Sequence, residues 1–153
     1  MNNYKHALNA IKKASNIVTT KPESSKVEIT KFNEEQMVSI EPLYCSPMKP
    51  DAHNQAMIEE EIRKMVDNIN MNIDKISGNI GHVFNTSGFH FVRAWVNECD
   101  CIIGSEFVPE GQPIIKVQFT DKTLWEMRKT GQLQGLSIGA LGTIVANPDY
   151  KEV

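Results

Sequence analysis

A series of short, closely spaced strand patterns constrains the fold of this chain more than any other feature. The clearest runs from Phe89 to Asn97 and alternates: odd-numbered residues from Phe89 to Trp95 predict one face of a β-strand, and even-numbered residues from His90 to Val96 predict the other. Further segments combine apolar residues with flanking turn formers, which is typical of strands. They are Val27–Phe32, Gln36–Cys45 with a break at Pro42, Gly78–Phe84, Cys99–Gly104 and Pro113–Phe119, with a loop over Gly104–Gly111.

Two helices interrupt these strands. Apolar residues recur at positions i, i+4, i+7 and i+8 over Ile58–Ile73, which predicts an amphipathic helix with Asn54 as its cap. Three consecutive glutamates, Glu59–Glu61, lie near the positive end of its dipole, and we interpret them as a solvated face.

A shorter helix begins at Thr120 or Asp121 and ends at Gly131, because glycine readily adopts the backbone conformation that terminates a helix. Trp125 in this helix and Trp95 in the alternating strand both have apolar neighbours. We predict that the two tryptophans pack in the core and do not bind a ligand.

The strand count and the two inserted helices predict the fold class. Six or seven short strands indicate an α+β protein built on a mainly antiparallel β-barrel that is flanked by helices. The first 26 residues differ, because 1–18 have the apolar spacing of an amphipathic helix and 19–26 are polar and contain Pro22. We therefore predict an N-terminal helical arm and linker over residues 1–26 and a folded domain over residues 27–153.

The composition excludes several classes of function. A chain of 153 residues with 41% hydrophobic and 23% charged residues has the balance of a globular domain. Its formal net charge of −3 argues against a nucleic-acid-binding protein, since such domains carry a basic face. Its apolar runs are shorter than the roughly 18 residues that a membrane span requires, and the N-terminus lacks the apolar core of a secretory signal. We expect neither a nucleic acid nor a membrane as a partner.

The three cysteines lack the spacing of a disulfide framework, which favours a reducing cytoplasm. Cys99 and Cys101, together with Cys45 and a histidine, could form a zinc site with mixed sulfur and nitrogen ligands. The sequence lacks a second Cys pair, however. We therefore favour three buried, reduced cysteines and expect neither a metal nor a cofactor.

The glycine-rich run Gly135–Gly142 is the strongest indication of function. Ser137 lies among apolar residues, with glycines two before it, two after it and five after it. Glycine weakens a strand interior and usually marks a place where a ligand or another backbone comes close. We therefore interpret Ser137 as a displayed nucleophile. The alternative is an ordinary strand serine that hydrogen-bonds a neighbour, because the Ser-x-Gly pattern is common by chance.

A serine nucleophile needs a base, and histidine is suited to this role near neutral pH. Of the four histidines, His82 follows a glycine in a short strand between glycines, a position like that of the serine. His6 lies in the N-terminal arm, His53 in a turn and His90 in the alternating strand. The sequence therefore offers His82 as the candidate base, with a structural histidine as the alternative.

Four segments occur in this order: Gly81-His82-Val83-Phe84, Ala94-Trp95-Val96, Leu124-Trp125-Glu126 before a Lys-x-Gly turn, and Gly135-Leu136-Ser137-Ile138-Gly139. Together they resemble the phage prohead (head-maturation) proteases, in particular the XkdF-like phage serine proteases, which are similar in fold to the herpesvirus assembly proteases. The resemblance covers residues 38–145. It implies that His82 is the family's histidine, that Ser137 is its nucleophile, and that the fold is a β-barrel flanked by helices.

This resemblance implies a serine endopeptidase that acts during phage head assembly. Ser137 would attack the scissile carbonyl while His82 takes its proton and later returns it to the leaving amine. Backbone amides near the glycines would stabilise the oxyanion. The implied substrates are the scaffold protein, the removable segment of the major capsid protein and the protease itself, in the host cytoplasm and the interior of the prohead. A homo-oligomer is also expected, since relatives are often regulated by dimerisation or by incorporation into the prohead.

The chain departs from the family at the third catalytic position. Relatives place a histidine or a carboxylate on a strand after the nucleophile, whereas the 16 residues after Ser137 contain no histidine and two acids, Asp149 and Glu152. Either Asp149 serves as the third residue, or His90 or Asp100 replaces it, or the enzyme is a slow dyad, or activity is lost. The alternative function is therefore a catalytically weak or inactive structural component of the capsid interior with the same fold.

Overall fold

The computed structural model describes residues 27–80, 84–134 and 145–146. The predicted arm and linker over residues 1–26 and the glycine-rich run lie outside the described residues. The helices are α1 (Glu59–Met71) and α2 (Lys122–Lys129), and a 3₁₀ turn spans Ile73–Lys75. The strands are β1 (Val27–Ile29), β2 (Phe32–Asn33), β3 (Val38–Pro42), β4 (Gly78–Ile80), β5 (Phe84–Thr86), β6 (Phe89–Val96), β7 (Cys101–Ile103), β8 (Glu106–Val108) and β9 (Pro113–Phe119).

The described strands form three sheets. The largest has the order β2-β3-β9-β6, and all of its neighbours are antiparallel. A second sheet has the order β1-β7-β8, with β1 parallel to β7 and β7 antiparallel to β8, while β4 and β5 form a hairpin. The α+β class is confirmed. The described sheets do not close into one barrel, so barrel closure stays a prediction.

The four-stranded sheet carries a hydrophobic core on each face. Val117 of β9 faces the two helices and packs in a cluster that includes Trp125 of α2; we call this cluster the helix-side core. Ile114 of the same strand packs on the opposite face against Ile103 of the β1-β7-β8 sheet; we call this cluster the sheet-side core. Trp125 is buried, and Trp95 packs against the sheet-side core, so the prediction that both tryptophans pack in the core is confirmed.

A β-bulge changes the predicted faces of β6. Phe91 and Arg93 pair with consecutive residues of β9, so Val92 is an extra residue between them. One extra residue reverses the alternation that follows it. Ala94 therefore joins the helix-side core, where it is 1% exposed. The prediction that odd-numbered residues share one face is correct up to Phe91 and wrong beyond it.

Three predicted segments divide differently from the expectation. Gly78–Phe84 is not one strand, because β4 and β5 pair in antiparallel fashion and the chain reverses between them. Val27–Phe32 contributes β1 to one sheet and β2 to another. The predicted loop Gly104–Gly111 contains β8. A two-residue turn connects β7 to β8, and its first residue, Gly104, has a φ of 63°. Short hairpin turns require a positive φ, and glycine adopts it without strain.

Both helices occur where the sequence predicts them, but the predicted cap residue of α1 is wrong. α1 begins at Glu59 without a side-chain cap, and Asn54 lies in an earlier turn with a φ of 57°. The three glutamates at the start of α1 are exposed, as predicted. Asp121 caps α2 through its side chain, and Gly131 has a φ of 79° just after the helix, as its role predicts. Neither described helix has the length and apolar character of a membrane span.

Candidate active site

Both predicted catalytic residues lie outside the described residues. His82 is the middle one of the three residues that separate β4 from β5. Ser137 comes three positions after Gln134, the last described residue of the segment that follows α2. The structure describes the strands on both sides of His82 and the chain that leads to Ser137. These elements show where each predicted residue is attached to the fold.

The β4-β5 hairpin, whose connection contains His82, is fixed against the helix-side core. Ile80 at the end of β4 packs against this core. Gly78 at its start lies against the ring of Phe89, because a Cβ added there would stand 2.7 Å from Phe89 Cε2. Carbon atoms do not approach this closely, so the contact requires glycine.

The helix α2, which leads to Ser137, packs on the same core through Trp125 and Leu124. Its start also contacts the segment that follows the hairpin. The Gly88 carbonyl accepts hydrogen bonds from Thr120 N at 2.8 Å and Asp121 N at 3.1 Å. The hairpin and the helix are therefore joined through this segment as well as through the core.

Along the chain, both predicted residues lie close to elements that pack on the helix side of the four-stranded sheet. His82 comes two residues after Ile80 of β4, which packs against the helix-side core. Ser137 comes four residues after Leu133, whose backbone N–H donates to the Met127 carbonyl of α2.

Two candidates for a third catalytic residue belong to the other side of that sheet. His90 is exposed on β6 between two residues of the helix-side core, so its imidazole points to the opposite face. Asp100 precedes β7 in the second sheet, is exposed, and accepts a hydrogen bond from Glu110 N at 2.9 Å. The β4-β5 hairpin, by contrast, packs on the helix side through Ile80. Asp149 lies outside the described residues.

A buried ion pair joins β3 to α2. Glu41 of β3 is 2% exposed, and it lies on the helix side of the sheet because it pairs with Ile115 of β9, a residue of the helix-side core. Arg128, in the last turn of α2, donates from Nε to Glu41 Oε1 at 2.9 Å and from Nη2 to Glu41 Oε2. Lys31 Nζ lies 3.5 Å from the same Oε2. Two cations therefore compensate one buried carboxylate, as a charge in the interior requires.

The same guanidinium holds the chain beyond α2. Arg128 Nη1 donates to the Leu133 carbonyl at 3.1 Å, and Leu133 N donates to the Met127 carbonyl at 3.0 Å. Both backbone hydrogen-bonding groups of Leu133 are therefore fixed, four residues before Ser137.

Sequence reasoning missed this network. The apolar residues at the start of this strand are Val38 and Ile40, a pattern that places Ser39 and Glu41 on the polar face. Both polar residues are instead buried on the helix side. Because β3 is covered on both faces, alternation alone did not show which side is buried. The sequence did not indicate a special role for Arg128, because a cation in the last turn of a helix is expected from the helix dipole alone.

The three cysteines are free, and their environments differ. Cys101 is buried, Cys45 is half-buried and Cys99 is exposed. The prediction of three buried cysteines is wrong for Cys99, because β7 begins at Cys101 and leaves Cys99 in the preceding turn. Burial raises the pKa of the Cys101 thiol. Among the described residues, no three His, Cys, Asp or Glu side chains lie close enough together to hold a metal ion.

Two surface clefts lie away from the β4-β5 hairpin and from α2, the elements next to the predicted catalytic residues along the chain. One, of about 350 Å³, is lined by residues around β2 and β3, including Lys31 and Lys116. The other, of about 300 Å³, is lined by residues such as Arg63 and Glu98. Neither is lined by a residue of the β4-β5 hairpin or of α2.

Comparison with known proteins identifies the class. The family model described as "Putative phage serine protease XkdF" matches residues 26–146, a range that contains both His82 and Ser137. The chain belongs to this family, which confirms the resemblance found in the sequence.

A relative within the curated proteins is the phage-like element PBSX protein XkdF of Bacillus subtilis (strain 168), which is 26% identical over 115 residues. The aligned region covers 75% of this chain and 41% of the relative, so the chain spans less than half of that protein's length. No solved structure matches the chain.

Proposed function

We propose that this protein is a serine endopeptidase of phage head maturation, with Ser137 as nucleophile and His82 as general base. The observation that carries the proposal is the family match over residues 26–146, because that range includes both residues and the motifs around them. The attachment of both residues to elements on the helix side of one sheet supports it.

In the proposed reaction, the Ser137 hydroxyl attacks the carbonyl of the scissile peptide bond while His82 accepts its proton. The tetrahedral oxyanion is stabilised by backbone N–H groups of the glycine-rich run. His82 then donates the proton to the leaving amine, and water releases the acyl group by the same steps in reverse. Either Asp149 is the third catalytic residue, or the enzyme works as a Ser137–His82 dyad without one.

The proposed setting follows from the same family. The substrates are the scaffold protein and the removable segment of the major capsid protein, and cleavage takes place in the host cytoplasm inside the prohead. We propose that the chain acts there as a homo-oligomer, and that its sheets close into a barrel with strands from outside the described residues. The start of the family match at residue 26 supports a domain boundary near residue 27.

The alternative is a catalytically weak or inactive component of the capsid interior. The positions of His90 and Asp100 favour it, because both belong to the sheet side of the four-stranded sheet, whereas the hairpin whose connection contains His82 packs on the helix side. Loss of that residue lowers the rate of a serine protease by about 10⁴.

Co-expression of the full chain with the scaffold and major capsid proteins of the same phage tests the proposal. Cleavage is followed by electrophoresis and mass spectrometry of the products. Ser137→Ala and His82→Ala should each abolish cleavage, because one removes the nucleophile and the other the base. His90→Ala and Ser105→Ala are matched controls at exposed positions outside the β4-β5 hairpin and α2. Both variants should cleave normally.

A fluorophosphonate probe, which reacts with activated serines, provides a second readout. It should label Ser137 in the unchanged protein and not in His82→Ala. Cleavage that persists in Ser137→Ala contradicts the assignment of the nucleophile. A folded protein that neither cleaves nor reacts with the probe supports the structural alternative.

A further inference from the structure

We infer that the Glu41–Arg128 ion pair is a positioning device for the nucleophile, an inference that rests on the proposed function for the role of Ser137. Arg128 connects three parts of the fold: α2, which carries it, β3 through Glu41, and the chain beyond the helix through the Leu133 carbonyl. That chain leads directly to the glycine-rich run.

The geometry of the guanidinium suits this role. Two of its nitrogens bind the two oxygens of Glu41, and this bidentate contact fixes the plane of the group. The third nitrogen is thereby aimed at Leu133. A lysine has a single point charge on a flexible stem, so it cannot hold the carboxylate and the carbonyl in this arrangement.

The surroundings make the anchor rigid. The Arg128 side chain is 12% exposed and Glu41 is 2% exposed, so little water competes for their hydrogen bonds. The guanidinium also lies over the ring of Phe32, with Cζ 5.7 Å from the ring centroid, which adds a cation–π contact.

Leu133, the residue that Arg128 holds, lies close to the nucleophile along the chain. Leu133 precedes Ser137 by four residues, and Gly135 and Gly139 flank that serine. Glycine restricts the backbone less than any other residue, so a glycine does not by itself fix the position of a neighbouring side chain. A displacement of about 1 Å at a reacting group lowers the rate by up to about 10²-fold. The Leu133 anchor therefore affects the chemical step more than substrate binding.

The variants separate positioning from stability. Removing one partner of a buried pair leaves an uncompensated charge, whereas replacing both with apolar residues of similar size is often tolerated. The main test is therefore the double variant Glu41→Leu with Arg128→Met, which removes the anchor and leaves neither charge of the pair buried; its folding is checked by circular dichroism. The matched control is Lys129→Met, which removes the next cation of α2; its amine pairs with Glu34 and Glu126 at the surface.

Steady-state cleavage of a scaffold-derived peptide is the first readout. In the double variant we expect kcat to fall by at least about tenfold while KM stays within about twofold, because the anchor affects the reacting serine and not the bound peptide. Arg128→Lys should show the same split, and Lys129→Met should change neither constant. A folded double variant with kcat within about twofold of the unchanged protein overturns the inference.

Amide hydrogen exchange of peptides that cover residues 130–137 is the second readout and does not depend on catalysis. We expect at least about fivefold faster exchange in the double variant and no change in Lys129→Met, since the anchor protects this segment from local opening. Unchanged exchange overturns the inference. If Ser137→Ala still cleaves, the proposed function fails, and the exchange result still decides whether Arg128 anchors the segment.

Discussion

The side-chain amide of Asn70 pairs with both backbone groups of Ala94. Asn70 Nδ2 donates to the Ala94 carbonyl at 2.8 Å, and Ala94 N donates to Asn70 Oδ1 at 2.8 Å. An asparagine of α1 therefore hydrogen-bonds to the side of β6 that has no neighbouring strand among the described residues. Unpaired strand edges associate readily with other chains. This contact fixes the helix and covers part of that edge.

Replacement of this asparagine should destabilise the domain. Asn70→Ala removes two hydrogen bonds and leaves the part-buried backbone groups of Ala94 without their partner, so we expect a loss of about 1–3 kcal/mol in the free energy of unfolding. Urea denaturation measures the change. Asn79→Ala, at an exposed amide of the β4-β5 hairpin, is the control and should cost about 0.5 kcal/mol or less. Equal losses in the two variants would show that the Asn70 contact contributes nothing specific.

The close contact between Gly78 and Phe89 leads to a second prediction. The Cβ of Gly78→Ala would overlap the Phe89 ring, which would have to shift within the helix-side core, so we expect a loss of about 1–3 kcal/mol. Phe89→Leu removes the atoms that clash. The double variant should therefore be more stable than the sum of the two single changes predicts. Strict additivity in thermal or urea unfolding would contradict the proposed overlap.

The sequence predicted those parts of the fold in which the pattern is local and regular. β9 occurs with the predicted bounds Pro113–Phe119, and α1 follows the predicted apolar spacing. It failed where one residue changes the pattern, as Val92 does in β6. It also failed where a short segment changes sheets, because the partner of a strand is a property of the tertiary fold and not of its own residues.

In the candidate site, sequence motifs and tertiary packing also contribute different residues. His82 and Ser137 each stand in a recognisable motif, and their assignment as a catalytic pair stays a prediction. The contact between Glu41 and Arg128 joins residues that are 87 positions apart, and neither stands in a motif. Only the packing of α2 over β3 brings them together, so no local pattern could have revealed the anchor.

The Tyr44 phenol leads to a prediction about pH. Burial, and then the hydrogen bond and charge of Asp51, raise the pKa of Tyr44 from 10.0 to about 12. The folded-state pKa is higher than the unfolded-state pKa, so this contribution to stability is complete below pH 10 and is lost as the pH rises through about 12. As the pH rises from 10 to about 12, we expect the free energy of unfolding to fall less in Tyr44→Phe than in the unchanged protein.

The cause of this shift can be tested directly. The Tyr44 hydroxyl donates to Asp51 Oδ2 at 2.9 Å. Asp51→Asn removes the negative charge and should move the pKa of Tyr44 back toward 10.0. NMR titration of the ring carbons measures this pKa, and Tyr44→Phe identifies the signal. A pKa that does not change in Asp51→Asn would assign the shift to burial alone.

Deletion of Val92 tests whether the bulge sets the register of β6. Without this residue, Phe91 and Arg93 become neighbours and still face consecutive residues of β9, so Ala94 keeps its place in the helix-side core. Deletion of Lys116 from the regular strand β9 is the matched control, because it moves every later side chain of that strand to the other face. We expect the Val92 deletion to lower the unfolding midpoint much less than the Lys116 deletion, and to leave the domain folded by circular dichroism. Similar losses in the two variants would mean that the extra residue is needed for the strand and is not a local insertion into it.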